Sequence, residues 1–389
     1  MVATALVTGL LGVTGSSGAA AGAAAKTAAD DSPAEVFKIY DIDPVNDPQG
    51  AWSDYAEMML TPSVSTGHIP DTNPPKSNLS RSCPHKRCKD KALKVPSDVS
   101  VSGSMVRVIV PPGYTKKKNR KKRYPVVYLF NGALSKYDSW AVNTMLVEMS
   151  RKLGAIFVCP DGAKQPYPGM FTDWYDESFD WESFHTRVVM PWVDKKYRTL
   201  PKGRALVGAS MGTLGALGYP IRHPGEFASV FSISGIVDTN LLRGNTLDPE
   251  LAEMLGMAPP DLRRVWGHPL LQNANWDLHN PTANAEVYKD VELLVSSGTG
   301  YSTPDPEADD ELHTGYAEQL MWTGHRTFLA SLIGARVPFK MRLTQGNVHN
   351  WPWFDSAMRW GFPKIIRTAR KSGLEELKRR KAARAEARR

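Results

Sequence analysis

Short apolar runs alternate with amphipathic stretches along most of the 389-residue chain. The apolar runs predict strands, and the helically spaced stretches predict helices. The predicted strands are residues 104–110, 124–130, 155–159, 204–207, 227–233, 291–296 and 339–343, and the predicted helices lie near 140–153, 181–196, 211–222 and 315–334. This alternation predicts an α/β fold with a mainly parallel sheet, covered by helices on both faces.

The two ends of the chain differ from this alternating region. Residues 2–13 are almost wholly apolar and an Ala/Gly/Ser stretch follows, which predicts a secretory signal over 1–25 that lacks the usual basic start. Turn residues are frequent in 26–92, which predicts an extended arm before a main domain at 93–363 and a basic tail at 364–389. No later apolar run approaches the ~20 residues needed to span a bilayer, so we expect a secreted chain without a transmembrane segment.

The net charge of +8 comes from two basic segments. Residues 116–123 hold seven basic groups and the tail holds eleven against three acidic, so the rest of the chain is near −7. We expect residues 116–123 to be the tip of a hairpin between the strands on either side. Secretion argues against a nucleic-acid partner. The two segments fit anionic envelope glycans or lipid headgroups, or they are simply solvated surface.

The three cysteines fit an oxidising compartment. Cys83 and Cys88 flank a short polar loop and are close enough in sequence to form a small disulfide. A metal site there would need two further ligands, and only His85 is near, so we expect no metal. We also expect no cofactor. Cys159 lies in an apolar run and is predicted to be a buried, inert thiol.

The most informative motif is Gly208-Ala209-Ser210-Met211-Gly212, a G-x-S-x-G pattern between a predicted strand and a predicted helix. A serine at such a strained turn is presented as a nucleophile only if the flanking residues are too small to clash. The pattern therefore predicts Ser210 as a nucleophile. Because similar patterns also occur in ordinary turns, the assignment depends on finding a base and an acid.

A serine nucleophile needs a general base, and the base needs a carboxylate that orients it. In α/β-hydrolases the histidine follows the last strand, and of nine histidines only His349 lies just beyond residues 339–343. The acid has several candidates. Glu318 lies at the start of the next helix, and the loop after strand 291–296 holds Asp305, Glu307, Asp309, Asp310 and Glu311. Spacing alone favours Asp305.

An oxyanion hole requires two backbone N–H donors aimed at the tetrahedral oxygen. One is expected from Met211, immediately after the nucleophile. The other is expected from the loop after strand 124–130, most simply from Ala133.

Several motifs around these residues resemble those of the antigen-85-type mycolyltransferases, the trehalose mycolyltransferases of an esterase-like α/β-hydrolase family. The resemblance covers roughly residues 93–360 and includes segments 127–132, 137–140, 171–175 (FTDWY), 181–184 (WESF), 208–212 and 346–351. FTDWY followed by WESF is far more specific than G-x-S-x-G.

The resemblance implies an α/β-hydrolase fold and a catalytic glutamate on the helix before the final strand. Glu318 matches that position and Asp305 does not, so the resemblance selects Glu318. It also implies that Ser210 takes a mycolyl group from a donor such as trehalose monomycolate and passes it to trehalose or arabinogalactan in the cell envelope. Ala133 falls where the family supplies its second oxyanion donor.

The chain departs from the family at the acceptor site. Well-known members have an aspartate and an arginine that engage trehalose, where this sequence has Asn131 and Leu134. Trp351 and Trp353 are candidates for a sugar-stacking platform, with core or rim packing as the alternative. Two other functions stay open: a secreted carboxylesterase of the same fold, and a non-catalytic, adhesin-like envelope protein.

Overall fold

A nine-stranded sheet forms the centre of the molecule in a computed structural model that describes residues 37–62, 87–133, 135–164, 167–243, 259–300 and 310–387. The strands are β1 (Phe37–Ile42), β2 (Cys88–Ala92), β3 (Met105–Ile109), β4 (Tyr124–Phe130), β5 (Ile156–Pro160), β6 (Ala163–Lys164), β7 (Tyr167–Pro168), β8 (Thr199–Ser210), β9 (Ser229–Gly235), β10 (Glu292–Gly298) and β11 (Phe339–Thr344). The main sheet has the order β1-β11-β10-β9-β8-β4-β5-β3-β2, and β6 and β7 form a separate two-stranded sheet. The six strands from β11 to β5 are parallel, and the pairs at the two edges are antiparallel.

Helices lie between most of the strands. Within the described ranges they are α1 (Pro48–Leu60), α2 (Ser139–Asn143), α3 (Leu146–Leu153), α4 (Trp181–Ser183), α5 (Met190–Lys196), α6 (Gly212–Arg222), α7 (Pro259–Trp266), α8 (Asn273–Leu278), α9 (Asp310–Gly334) and α10 (Trp351–Glu386). A π-helical segment, Phe184–Val189, joins α4 to α5. None of these helices is both long and apolar enough to cross a membrane.

The central strands are apolar on both faces because both faces are covered. All seven residues of β4 are buried. Tyr128 and Phe130 belong to the core cluster on one side of the sheet, while Val127 and Leu129 belong to the cluster on the other. Fully burying such a side chain contributes about 1.5–3 kcal/mol, so two-sided burial explains why β4 is a continuous apolar run. The predicted α/β architecture with a mainly parallel sheet is confirmed.

The basic segment 116–123 is not the tip of a hairpin, and that expectation was wrong. It does connect β3 to β4, and it contains a short 3₁₀ helix, Lys117–Asn119. However, β5 lies between β3 and β4 in the sheet, and β3 is antiparallel to β5. Adjacency in sequence predicted a pairing that the sheet order does not contain.

The described part of the predicted arm 26–92 belongs to the main fold. Residues Phe37–Ile42 form β1 and pair along their length with β11. Tyr40 and Ile42 enter the core, and α1 places Ala51 and Met58 there. The described residues 37–62 belong to the same compact unit as the described residues from 87 onward, so this part of the expected arm is not separate from the domain. The predicted signal at 1–25 lies outside the described residues and stays a prediction.

The predicted boundary at 363/364 falls inside α10, which is continuous from Trp351 to Glu386. Ile365, Ile366 and Ala369 are buried and belong to the core cluster on the face of the sheet that includes Val127 and Leu129. The first part of the basic tail is therefore a core helix. Only from Lys378 onward is every described residue of this helix exposed.

Candidate active site

Ser210 is the last residue of β8, and one residue separates it from α6, at the strand-to-helix turn that the motif predicts. Its φ of 55° lies in the left-handed region. Such a conformation costs a non-glycine residue roughly 1–3 kcal/mol and persists only where the surrounding structure imposes it. Strained turns of this kind are typical of the nucleophile elbow of α/β-hydrolases.

The two glycines of the motif have a steric reason. A Cβ atom on Gly208 would lie 2.2 Å from the carbonyl oxygen of Gly212, and one on Gly212 would lie 2.3 Å from the carbonyl oxygen of Phe130. Both obstacles are backbone atoms, which cannot move aside as a side chain can. The tight approach of α6 to β8 and β4 therefore requires glycine at both positions.

The structure brings Glu318 and His349 together, although they lie on different elements. Glu318 is on α9, and His349 is in the loop between β11 and α10. Glu318 Oε2 is 2.9 Å from His349 Nδ1. The Glu318 side chain is fully buried and that of His349 is 6% exposed. The alternative acid, Asp305, lies outside the described residues.

The second carboxylate oxygen of Glu318 is held by groups that the sequence did not single out. Oε1 accepts hydrogen bonds from the Ser234 hydroxyl at 2.5 Å and from the Gly298 backbone N–H at 2.6 Å. Trp353 Nε1–H in turn donates to Ser234 Oγ at 2.8 Å. Ser234 itself has a left-handed φ of 43°. Its place at the end of a buried strand gave no signal of this role.

These contacts determine the charge state of the carboxyl group. Burial on its own would raise the pKa of Glu318. The hydrogen bond and charge of His349, with the hydrogen bonds from Ser234 and Gly298, outweigh burial and lower the pKa below its usual value. Glu318 is therefore an ionised acceptor for the Nδ1–H of His349.

Ser210 lies at the same end of the sheet as this pair. In the register of β8 with β9, Ser210 is opposite Gly235, the neighbour of Ser234. Gly298 is the last residue of β10. The carboxyl ends of parallel strands are where α/β folds place their sites. Within the described ranges, Nε2 of His349 is buried without a hydrogen-bond partner, and this is the atom that accepts the serine proton in a triad.

The predicted oxyanion donors flank the serine. Met211 follows it directly at the start of α6, and Ala133 lies in the loop after β4. The loop is close to the nucleophile, since a Cβ atom on Gly132 would lie 3.6 Å from Ser210 Oγ. Both residues are buried. The roles of their N–H groups stay predictions.

Asn131 braces the same loop through its amide nitrogen, whereas its buried Oδ1 has no hydrogen-bond partner among the described residues. The residue is 1% exposed, and its Nδ2 donates to the carbonyl oxygens of Gly132 and Ser135, each at 3.0 Å. Leu134, the second position where the sequence departs from the family, lies outside the described residues.

The two tryptophans after His349 have different surroundings. Trp351 is half-buried and packs edge-on against Trp140, with ring centroids 5.3 Å apart. Trp353 is fully buried, and the Arg342 guanidinium lies over its ring at 4.4 Å. A ring without an exposed face cannot stack on a sugar, so the proposed platform role of Trp353 was wrong. Its indole supports Glu318 through Ser234 instead.

The two described cysteines differ in their chemical state. Cys88 is disulfide-bonded. Cys83 lies outside the described residues, so its pairing stays a prediction. Cys159 is a free, fully buried thiol, and burial raises its pKa to about 12. The prediction of an inert core thiol is confirmed.

Two further observations concern metal ligands and a cavity away from the candidate active site. Among the described residues, no group of three or more His, Cys, Asp or Glu side chains is arranged to hold a metal ion. A cavity of about 450 Å³ is lined by residues that include Glu292, Phe339 and Lys371. Because Glu292 and Phe339 begin their strands, this cavity lies at the opposite end of the sheet from Ser210.

Comparison with known families and sequences gives a consistent result. The model of the esterase family matches residues 102–360. An esterase of Mycobacterium tuberculosis is 29% identical over 246 residues, which are 62% of this chain and 51% of the relative. The diacylglycerol acyltransferase/mycolyltransferase Ag85A of the same organism is 27% identical over 261 residues, covering 62% of this chain and 73% of Ag85A. The chain thus spans about half the length of the matched esterase.

Solved structures show the same fold. MPT51 of Mycobacterium tuberculosis superposes with a TM-score of 0.57 at 20% identity, covering 72% of this chain and 98% of MPT51. An S-formylglutathione hydrolase from Agrobacterium tumefaciens gives a TM-score of 0.52 at 18% identity, covering 72% and 94%. At these identities the similarity establishes the α/β-hydrolase fold, as the resemblance implied.

Proposed function

The chain belongs to the esterase family, and from this premise we propose that it is a serine acyltransferase with Ser210, His349 and Glu318 as its catalytic triad. The observation that carries the proposal is the buried Glu318–His349 pair at the same end of the sheet as the strained Ser210 turn. Buried polar atoms without a hydrogen-bond partner are rare in folded proteins. A histidine whose Nδ1 faces a buried carboxylate and whose Nε2 is unpaired is the arrangement expected of a general base.

The contacts support a double-displacement mechanism. Glu318 accepts the Nδ1–H bond of His349, which leaves the lone pair on Nε2 to take the Ser210 hydroxyl proton as Oγ attacks the ester carbonyl. The N–H groups of Met211 and Ala133 stabilise the resulting oxyanion. When the intermediate collapses, the alcohol leaves with the proton from Nε2. An acceptor hydroxyl then reacts with the acyl-serine by the reverse sequence, and Ser210 regains its proton.

We further propose that the acyl group is mycolyl and that the donor is trehalose monomycolate. The similarity to Ag85A, whose name includes mycolyltransferase activity, and the FTDWY and WESF motifs support this substrate class. Trehalose and arabinogalactan are the proposed acceptors. The location that follows is the cell envelope, after secretion directed by residues 1–25.

The chain differs most from its relatives at the residues proposed to bind the acceptor. Asn131 stands where well-known members carry an aspartate for trehalose; it is buried, and its amide nitrogen is already bound to carbonyl groups of its own loop. Trp351 is half-buried and is the remaining aromatic candidate for contact with a sugar. We therefore propose that acceptor recognition at this site depends less on Asn131 than on Trp351.

Incubation of the full chain with trehalose monomycolate, with and without added trehalose, tests the proposal. Transfer predicts trehalose dimycolate, with a yield that rises with trehalose concentration. A carboxylesterase is the second candidate, favoured by the name of the matched esterase. It predicts free mycolate at every trehalose concentration and no transfer product. The Ser210→Ala variant is the control for both outcomes, since it removes the nucleophile.

A further inference from the structure

Two basic segments that are far apart in sequence adjoin the same short stretch of the fold. The first is the loop 116–123. Arg123 donates a hydrogen bond to the carbonyl oxygen of Thr199 at 3.0 Å, and Arg198 donates to that of Lys122 at 3.1 Å. The loop is thus attached to the beginning of β8.

The second segment is the C-terminal part of α10, which meets the other side of the same stretch. A Cβ atom on Gly373 would lie 2.6 Å from Leu200 Cβ, and one on Gly203 would lie 3.0 Å from the Ala369 carbonyl oxygen. Ser372 Oγ lies 3.5 Å from the carbonyl oxygen of Lys202. The loop and the helix therefore both contact the stretch 198–203.

The basic groups of both segments face solvent. All seven in the loop are exposed, and none forms an ion pair with a described acid. From Arg370 to Glu386, α10 has seven basic residues and three acidic ones. Of these acids, Glu376 pairs with Arg379 and Arg380. We call the loop 116–123 together with the exposed residues 370–384 the basic surface.

The basic surface lies at the end of the sheet opposite to the candidate active site. Thr199 begins the 12-residue strand β8 and Ser210 ends it. Because β8 bulges between Thr199 and Arg204, which lie opposite Tyr124 and Val126, the strand advances less than its residue count implies. At about 3.3 Å per paired residue, the beginning of β8 is on the order of 25 Å from the nucleophile. The basic surface is therefore too far away to bind the reacting part of a substrate.

The chemistry of this surface fits lipid headgroups better than a glycan. Lysine is a flexible, strongly hydrated point charge, which suits phosphate groups that are mobile in a plane. Sugar recognition depends on exposed aromatic faces, and the large exposed apolar residue of this part of α10 is an aliphatic one, Leu374. Among the described residues, the loop has no exposed aromatic ring.

We propose that the basic surface docks the enzyme on an anionic lipid membrane, through headgroup phosphates, with the candidate active site facing away from it. The attraction is mainly electrostatic, because Leu374 is the one large exposed apolar side chain among the described residues of the surface. It orients the molecule, because the charges are concentrated at one end of the sheet. This inference does not depend on the identity of the acyl substrate.

Flotation of the full chain with vesicles tests the proposal. The probe is a vesicle that contains phosphatidylglycerol, compared with pure phosphatidylcholine. Wild type is expected to bind the anionic vesicles at low salt and to dissociate as salt rises. Three triple alanine variants are compared: a loop variant at Lys117, Lys118 and Lys121, a helix variant at Lys378, Lys381 and Arg384, and a control at Lys89, Lys91 and Lys94. The control residues are exposed on or just after edge strand β2.

The loop and helix variants are each expected to lower the partition coefficient on the order of 100-fold, since each basic residue near a membrane contributes about 1 kcal/mol. The control variant is expected to change it less than about three-fold, because its charges lie outside the basic surface. Equal losses in all three variants, or no binding of wild type to anionic vesicles, would overturn the proposal. Binding to dextran sulfate without binding to vesicles would overturn it in favour of an anionic glycan.

Hydrolysis of a soluble short-chain nitrophenyl ester separates this proposal from the catalytic one. The loop and helix variants are expected to keep wild-type turnover, because their changes lie far from Ser210. A wild type that binds vesicles and hydrolyses no ester contradicts the proposed function and leaves the membrane proposal intact.

Discussion

The hydroxyl of Ser234 has one proton, and its neighbours decide where that proton goes. Trp353 Nε1–H can only donate, so Ser234 Oγ accepts from it. The serine proton is then committed to Glu318 Oε1, and Oε2 is left to face His349. The direction of every hydrogen bond follows from the chemistry of the groups. Ser234 is therefore a positioning residue for the carboxylate.

We predict that Ser234→Ala lowers kcat by about 10- to 100-fold with little change in KM, because a hydrogen bond to a charged group contributes about 1.5–3 kcal/mol. Steady-state kinetics on a soluble ester measures both constants. The matched control is Ser297→Ala, whose hydroxyl is 3.4 Å from the same oxygen, too far for a strong bond. If the two variants lose equal activity, or if Ser234→Ala changes only KM, the positioning role is wrong.

At the scale of residues, the sequence identified the candidate catalytic residues more fully than the residues that hold them in place. The motif and the chain order single out Ser210 and His349, because their signals are local. Choosing Glu318 over Asp305 required the family resemblance. Ser234 and Trp353 were missed or misread, because their roles arise from contacts between residues 84 and 119 positions apart. No local pattern encodes such a contact.

At the scale of elements, α4 and α6 are joined by a buried ion pair. Glu182 Oε2 accepts from Arg222 Nε at 2.7 Å, and Oε1 lies 2.7 Å from His223 Nε2. Burial alone would raise the pKa of Glu182, but the charge of Arg222 and the hydrogen bonds from both partners lower it to about 2. The network anchors the helix that follows Ser210 to the WESF segment.

Because the folded-state pKa of Glu182 lies below its ordinary value of 4.5, the network stabilises the fold above about pH 4.5 and is lost as pH falls toward 2. The shift corresponds to roughly 3 kcal/mol at neutral pH. We predict that Glu182→Gln loses stability of that order at pH 7 and shows a flatter acid dependence. Urea unfolding from pH 7 to pH 3 measures both the stability and its acid dependence.

The control is Glu226→Gln, which breaks an exposed ion pair and should lower the stability by less than about 1 kcal/mol. Parallel acid curves for Glu182→Gln and wild type would contradict the prediction.

A second prediction at the scale of elements concerns the turn between β8 and α6. Gly208→Ala and Gly212→Ala each place a Cβ atom against backbone, so each is expected to destabilise the fold by about 3 kcal/mol or more. Gly334→Ala at the end of α9 meets no atom within 4 Å and serves as the control. Thermal unfolding distinguishes them. Wild-type stability in the two motif variants would mean that α6 approaches β8 less closely than described.

Most of the predicted strands lie within a few residues of their observed bounds, but β8 begins earlier than predicted, and β1, β2 and α1 were not predicted. The neighbours of the strands in the sheet were also not predictable. The apolar run of β4 is predicted with its observed bounds, because two-sided burial leaves a local pattern. The place of β5 between β3 and β4, and of β1 beside β11, depends on long-range pairing. Hence the basic loop was mistaken for a hairpin and residues 37–62 for an arm.

At the scale of the whole molecule, one strand connects the two proposed sites. The candidate active site lies at the carboxyl end of β8 and the basic surface at its amino end. The proposed catalysis and the proposed membrane docking therefore use opposite ends of the sheet, and we expect that each can be changed without the other. The overall charge of +8 does not reveal this separation, because it averages two basic segments with an acidic remainder.

The central claim is that acyl transfer passes through Ser210. Mass spectrometry of the intact chain after brief incubation with an acyl donor, followed by peptide mapping, tests it most directly. We predict one acyl group on the peptide that contains Ser210, and none in Ser210→Ala. In His349→Ala we predict a labelling rate lower by several orders of magnitude, on the scale of other serine triads. An acyl group on a different residue, or unchanged turnover in Ser210→Ala, would contradict the account.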